Sequence, residues 1–243
     1  MTYCVGMLLE KGLVMAADTR TNAGVDNVGK FKKLFTWEFP GDRVFVLFTA
    51  GNLAVTQSVT SLLFEQIEHP PEQGETLKSA KTMFQAAHVV GAAVRSVKAS
   101  DEGFLTANGE AFAASFIFGG QVGSERPRLF NIYAAGNFIE ATPDTPFFQI
   151  GEHKYGKPIL DRVARSDMSL GDAAKMILVS FDSTLRSNLS VGLPIDLLTY
   201  ETDSLKIEHT KRIGLDDPYF KMLSMEWSKA LRSAFVNIEA LDI

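Results

Sequence analysis

An α+β fold, with two antiparallel sheets face to face and helices outside them, is what the sequence predicts, on three observations. The elements come in runs: four strands, two helices, three strands, two helices, two strands and one helix, whereas a doubly wound parallel sheet would alternate strand and helix. Both arms of the first hairpin, 3–9 and 13–17, are almost wholly apolar, so both of their faces are to be covered. No internal repeat, linker or low-complexity tract interrupts the chain, so residues 1–243 are expected to form one domain.

Each element has a local reason. The runs YCVGMLL (3–9) and LVMAA (13–17) are joined by Glu10-Lys11-Gly12 and read as a β-hairpin. Residues 19–30 (TRTNAGVDNVGK) are polar, carry glycines and read as a loop. Phe31 to Phe39 and Arg43 to Ala50 are the next strand pair, turned by Pro40-Gly41-Asp42. Val55, Val59, Leu62, Leu63 and Ile67 recur at helical spacing, which predicts a helix over 52–68, ended by His69-Pro70-Pro71. A second helix is expected over 76–98, with Leu77, Ala80, Phe84, Ala87, Val90 and Val94 on one face, followed by a polar connector over 99–110. Strands follow at 111–118, 128–134 and near 147–150. Helix 155–165 tolerates Pro158 because it falls in the first turn. Helix 169–187 begins with Ser169 and Asp172, close to a capping box. Strands at 193–200 and 204–210 precede a last helix opened by Asp216-Asp217-Pro218, with Phe220, Leu223, Trp227 and Leu231 on its buried face.

Composition removes several function classes. The chain has 243 residues, of which 46% are hydrophobic and 22% charged, enough for a sizeable core. A net charge of −5 argues against a nucleic-acid surface. No apolar stretch reaches the roughly 20 residues of a membrane span, and no signal peptide is visible. The single cysteine excludes an intrachain disulfide and fits a reducing, cytoplasmic setting.

The chemistry concentrates in the first 35 residues. Thr2 follows Met1. With the methionine removed, one residue carries a hydroxyl nucleophile and a free α-amine that titrates at about 7.7–8.0, so it supplies its own general base. Such a terminus needs a charge to polarise it, a group to hold that charge and backbone N–H groups for the oxyanion. Asp18 ends the second strand of the hairpin that begins at Thr2, and Lys33 lies early in the third strand. Thr49-Ala50-Gly51, at a strand-to-helix turn, is a candidate oxyanion segment. On spacing alone, the same residues also read as ordinary strand-end charges.

The pieces Thr2, Val5-Gly6, Val14-Met15-Ala16-Ala17-Asp18-Thr19-Arg20, the glycine at Gly24, Lys32-Lys33-Leu34-Phe35 and Phe48-Thr49-Ala50-Gly51 resemble the opening of a proteasome β-subunit. TYCVG, DTRTNAGVDN, GEHKYGKPIL and NLSVGLPIDL are similar, more specifically, to the bacterial Anbu (ancestral β-subunit) branch of that family, from Thr2 to about Ser204. The resemblance implies a four-layer αββα sandwich of the N-terminal nucleophile hydrolase type and a threonine peptidase. Thr2 would be nucleophile and base, Asp18 and Lys33 the polarising pair, Gly51 the oxyanion donor and Arg20 a neighbouring structural charge. Lys33 follows from the K-L-F match; Lys32 and Lys30 are the alternatives. No cofactor or metal is implied.

Two segments depart from the proteasome pattern. Where that family has G-S-G, this chain has Gly151-Glu152-His153, with Glu152 in place of the serine. Where it has D-x-x-S-G-G, this chain keeps the serine as Ser190 but has Ser187 in place of the aspartate. A carboxylate at Glu152 close to the amine would raise the amine's pKa and weaken it as a base. The resemblance further implies a large homo-oligomer, ring-like or spiral, of about twelve or more subunits, acting on peptides or unfolded proteins; it names no unfoldase partner. Two other functions fit the same residues: a self-assembling scaffold with little or no proteolysis, and an amidohydrolase of small molecules. Cys4 is expected to be a small apolar packer. The four histidines show no metal-ligand spacing, and Trp37 and Trp227 are expected as core or interface anchors.

Overall fold

The computed structural model describes residues 2–22 and 28–242. Strand β1 (Tyr3–Leu9) pairs antiparallel with β2 (Gly12–Asp18), as the hairpin signal predicts. The loop expected over 19–30 instead carries two three-residue strands, β3 (Arg20–Asn22) and β4 (Val28–Lys30), paired as a small ribbon; Gly24 and the rest of 23–27 lie outside the described residues. Strands this short and polar leave no alternation to detect.

Strand β5 (Leu34–Phe39) and β6 (Arg43–Gly51) follow, then helix α1 (Leu53–Glu68), capped by the Asn52 side chain on the N–H of Ala54 at 3.0 Å. Helix α2 is Met83–Ala107, not 76–98. Leu77 and Ala80 are buried, but in the segment before the helix, where the Arg43 guanidinium donates to both of their carbonyls. The helix then continues through the expected connector. Its last two turns are largely exposed and laced by Lys98–Glu102, so no apolar stripe announces them.

Strand β7 (Ala114–Val122) extends beyond the expected end through Gly119 and Gly120, and β8 (Arg128–Ile132) pairs with an unanticipated three-residue β9 (Phe138–Glu140). Then come β10 (Phe147–Gly151), helices α3 (Lys157–Val163) and α4 (Leu170–Ser187), and β11 (Ile195–Glu201). The Ser169 cap is observed, its hydroxyl accepting from the N–H of Asp172 at 3.1 Å. Strand β12 is His209–Ile213 and not 204–210, because Asp203 and Leu205, both at positive φ, turn the chain first. Helix α5 (Pro218–Val236) starts at an Asp217 cap. Phe220 and Leu223 are buried on it as expected, but Leu231 is 51% exposed, because the helix runs on past the body that would cover it.

One sheet has the order β10-β1-β2-β11-β12, the other β5-β6-β7-β8-β9, and all pairings are antiparallel. Period-two alternation sorts the hairpin residues into layers. Tyr3, Val5, Met7 and Leu9 join Ile177, Phe181, Phe220 and Leu223 under α4 and α5. Cys4, Leu13, Met15 and Ala17 meet Val46, Phe48 and Ile117 between the sheets. Phe45, Leu47, Phe116 and Phe118 face α1 and α2. The result is the α-β-β-α layering, and it explains why both hairpin arms are apolar on both faces. Full burial of a large apolar side chain is worth about 1.5–3 kcal/mol, so these phenylalanine layers, rather than the polar β3–β4 ribbon, are the frame that holds the strand ends in place. Among the described residues, no helix is long and apolar enough to cross a membrane.

Candidate active site

The site is assembled at one end of the first sheet. Thr2 precedes β1, so it lies between the end of β10 on one side and the end of β2 on the other. On the β10 side, Tyr3 is in register with Gly151, and the carbonyl of Thr2 accepts the N–H of Glu152 at 2.6 Å. Gly151 has φ +81°, and a Cβ there would stand 1.9 Å from that same carbonyl oxygen; only glycine lets β10 come this close.

On the β2 side, Asp18 is fully buried and is held from three directions. Its Oδ1 accepts the N–H of Tyr3 at 3.0 Å and the Lys33 Nζ at 2.6 Å, and its Oδ2 accepts the N–H of Gly192 at 3.3 Å. Lys33 arrives from the other sheet, just ahead of β5, and is 4% exposed; its ammonium also donates to the carbonyl of Arg20 at 2.5 Å. The Asp18–Lys33 pair therefore spans the gap between the two sheets, one residue away from Thr2. Burial pushes the Asp18 carboxyl above its ordinary value, while the Lys33 ammonium and the N–H groups of Tyr3 and Gly192 act against that shift. Of the three candidate lysines, Lys33 is the one on Asp18. Lys32 is exposed, its Nζ 5.6 Å from the centre of the Phe35 ring, and Lys30 is exposed too.

Gly51 ends β6. It has φ +119°, and a Cβ on it would stand 2.2 Å from the carbonyl oxygen of Ala113, so the bend that carries the chain from β6 into α1 requires glycine. Strand β6 reaches the same corner: Thr49 donates its N–H to the Lys33 carbonyl at 3.1 Å, and its own carbonyl lies 3.9 Å from the Cys4 Sγ. Cys4 is buried between the sheets, with burial pushing its thiol up, as a packing residue should be.

The loop after α4 closes the third side. Arg20 donates to the carbonyl of Leu189 at 2.9 Å, and Thr19 bonds the carbonyl of Pro194 through both its N–H, at 3.1 Å, and its hydroxyl, at 2.8 Å. Ser190 is half-buried in this loop, and its N–H donates to Asn188 Oδ1 at 2.9 Å. Glu152 is 9% exposed and is engaged by the N–H of Lys154 and the side-chain amide of Asn188, both at 2.9 Å. Ser187, the last residue of α4, is exposed and stands apart from this chain of bonds among the described residues.

Two residues at the site carry no assignment from sequence. Asn188 lies inside the NLSVGLPIDL motif, but its role depends on contacts across the fold. Tyr3 is an unremarkable strand residue until its hydroxyl is seen 2.9 Å from Ser180 Oγ and 2.8 Å from Gln149 Nε2, with its ring against Phe181. Those bonds fix the residue next to Thr2 to helix α4.

A model of the family described as Proteasome subunit matches residues 2–197. No curated protein matches. Among solved structures, the chain is similar to Anbu from Hyphomicrobium sp. strain MC1, with 60% identity over 99% of this chain and 100% of that one and a TM-score of 0.93. It is similar to Anbu (ancestral beta-subunit) from Yersinia bercovieri, with 48% identity over 99% of each chain and a TM-score of 0.92. A chain of the helical assembly of the Anbu complex from Pseudomonas aeruginosa is 47% identical over 99% of this chain and 98% of that one, with a TM-score of 0.93.

Proposed function

The chain belongs to the proteasome subunit family, and from that premise we propose that it is a threonine peptidase whose nucleophile is Thr2, freed by removal of Met1. The supporting observation is the buried Asp18–Lys33 pair, 2.6 Å apart, whose carboxylate also takes the N–H of the residue following Thr2. A fixed cation in a dry corner favours the alkoxide character that a threonine hydroxyl needs for attack.

In the proposed cycle the Thr2 Oγ1 adds to the peptide carbonyl and its proton passes to the α-amine. The negative oxygen so formed accepts a hydrogen bond from the N–H of Gly51. Collapse breaks the C–N bond, and the ammonium returns its proton to the leaving amine, leaving an ester on Thr2. A water, deprotonated by the same amine, then attacks the ester, releasing a carboxylic acid and restoring Thr2. Asp18 holds Lys33 in place throughout, Ser190 belongs to the wall made by the loop after α4, and Arg20, on β3, is bonded to that loop.

The chemistry is tested with a peptide epoxyketone, whose two electrophilic carbons answer to a hydroxyl and an amine on one residue. Intact mass is expected to show loss of Met1 and one inhibitor added per chain. A retained Met1, or a processed chain that takes up no inhibitor, would sink the assignment of Thr2.

We further propose that the chain works as a large homo-oligomer, ring-like or spiral, of about twelve or more copies. The outer part of α5 and the tail behind it expose Leu231, Phe235, Val236, Ile238 and Leu241, each more than half uncovered. Exposed apolar side chains concentrated at one end of the chain mark an association face, and the relative from Pseudomonas aeruginosa forms a helical assembly. Light scattering of the purified protein is expected to give many times the 26.7 kDa of one chain; a monomer mass would refute it.

A further inference from the structure

We propose that Glu152 and Asn188 are a positioning pair that ties the loop after α4 to the Thr2 carbonyl and so fixes the geometry of the site; the proposal rests on Thr2 being the nucleophile. The geometry forms a closed circuit. The Glu152 N–H donates to the carbonyl of Thr2 at 2.6 Å, and its carboxylate accepts from Asn188 Nδ2 at 2.9 Å. Asn188 Oδ1 accepts the N–H of Ser190 at 2.9 Å. Two residues on, the N–H of Gly192 reaches Asp18 Oδ2, while Asp18 Oδ1 takes the N–H of Tyr3, which returns the circuit to Thr2.

Glu152 is a costly residue to keep here. It is 9% exposed, and among the described residues no cation pairs with it. A buried carboxylate without a counter-charge is tolerated only where N–H groups satisfy it. Glu152 has such groups, and they come from two separate segments: the N–H of Lys154 in its own turn and the amide of Asn188. A carboxylate oxygen for each donor is what a serine or glutamine at this position does not offer.

Asn188 is equally committed. Its backbone N–H bonds the Thr184 carbonyl at the end of α4, its Nδ2 bonds Glu152, and its Oδ1 bonds Ser190. The far side of the loop is anchored by Val191, which is buried against the helix-facing core. The near side carries Leu189, 88% exposed, and gains no packing there. A segment of low contact density opens easily, so the position of this half of the loop depends on its polar links. If it moves, the Asn188 amide leaves the Glu152 carboxylate, and the turn whose N–H holds the Thr2 carbonyl loses its tie to the loop.

The test uses the full-length protein with Glu152→Ala, Glu152→Gln, Asn188→Ala and the Glu152→Ala/Asn188→Ala double variant. The rate of Thr2 acylation by a peptide epoxyketone is followed by intact mass, beside peptide turnover and thermal midpoint. The two alanine variants are each expected to slow acylation and kcat by roughly ten- to a hundredfold, the cost of a small displacement in a reacting site. KM is expected to stay within about twofold, because the proposed role acts through the Thr2 main chain and the loop after α4 and not through substrate binding. The midpoint should move by only a few degrees, the double variant should be no slower than the slower single, and Glu152→Gln should recover part of the rate because it keeps one acceptor. Acylation at the wild-type rate in either alanine variant overturns the proposal, as do additive losses or a rate that falls only in step with the fraction unfolded. If wild type itself takes no label, the nucleophile assignment is what fails, and this role goes with it.

Discussion

Thr2→Ala is expected to abolish peptide turnover, by at least about 10³-fold, down to the background of the assay. The substitution removes one hydroxyl and leaves everything else the site supplies. Alanine is small enough that Met1 removal should proceed as before, so the α-amine is still free. The carbonyl at position 2 still accepts from Glu152, and the N–H of Tyr3 still reaches Asp18, because both are main-chain contacts. The fold and assembly should be unchanged, and the loss can then be assigned to the missing nucleophile. Thr2→Ser is the matching control: it keeps hydroxyl and amine and is expected to retain measurable turnover and epoxyketone labelling. Unchanged turnover in Thr2→Ala would show that another residue performs the reaction.

Breaking the Asp18–Lys33 pair is expected to have the second large effect, on stability and activity together. The two groups are 0% and 4% exposed, and their separation is 2.6 Å. Lys33→Met leaves a carboxylate in the sandwich interior with only the N–H groups of Tyr3 and Gly192 to satisfy it. Removal of one partner of a buried pair costs about 3–5 kcal/mol, because the remaining charge is uncompensated. For a chain of this size, each kcal/mol moves the thermal midpoint by about 2–4 °C, so a fall of roughly 6–20 °C is expected, measured at one fixed protein concentration. Turnover should fall to background in the same variant. The double change Asp18→Leu/Lys33→Met separates the two effects: well-packed apolar residues can replace a buried ion pair with little loss or even a gain, so the midpoint should recover while turnover does not. Turnover that returns with stability would mean that the pair holds the fold and takes no part in the chemistry.

The legible parts of this molecule are those whose signals are local. The hairpin arms, the strand pair around Pro40-Gly41-Asp42, helix α1, the Ser169 cap and the Asp217 start of α5 each follow from alternation, spacing or a capping side chain within a few residues. The misplaced parts lack such signals. The β3–β4 ribbon is polar and short; the end of α2 projects past the sheet it packs on and has no apolar stripe; β9 is three residues whose partner supplies the alignment. Leu231 shows the reverse error: it has the helical spacing of a core residue, yet half of it stays uncovered by the described residues.

The sequence by itself determined the residue types and their places at strand ends: a threonine ahead of β1, an aspartate at the end of β2, a lysine just ahead of β5 and a glycine at the end of β6. Strand periodicity and turn chemistry are encoded within a few residues, so those places can be read in one dimension. Only the tertiary structure decided which of three lysines meets Asp18, because that choice depends on how far the second sheet is shifted over the first. Only it joined Glu152 to Asn188, 36 positions apart, and Gly192 to Asp18, 174 positions apart. Such contacts are set by the stacking of layers, and a side chain's partner across a layer leaves no trace in its neighbours along the chain.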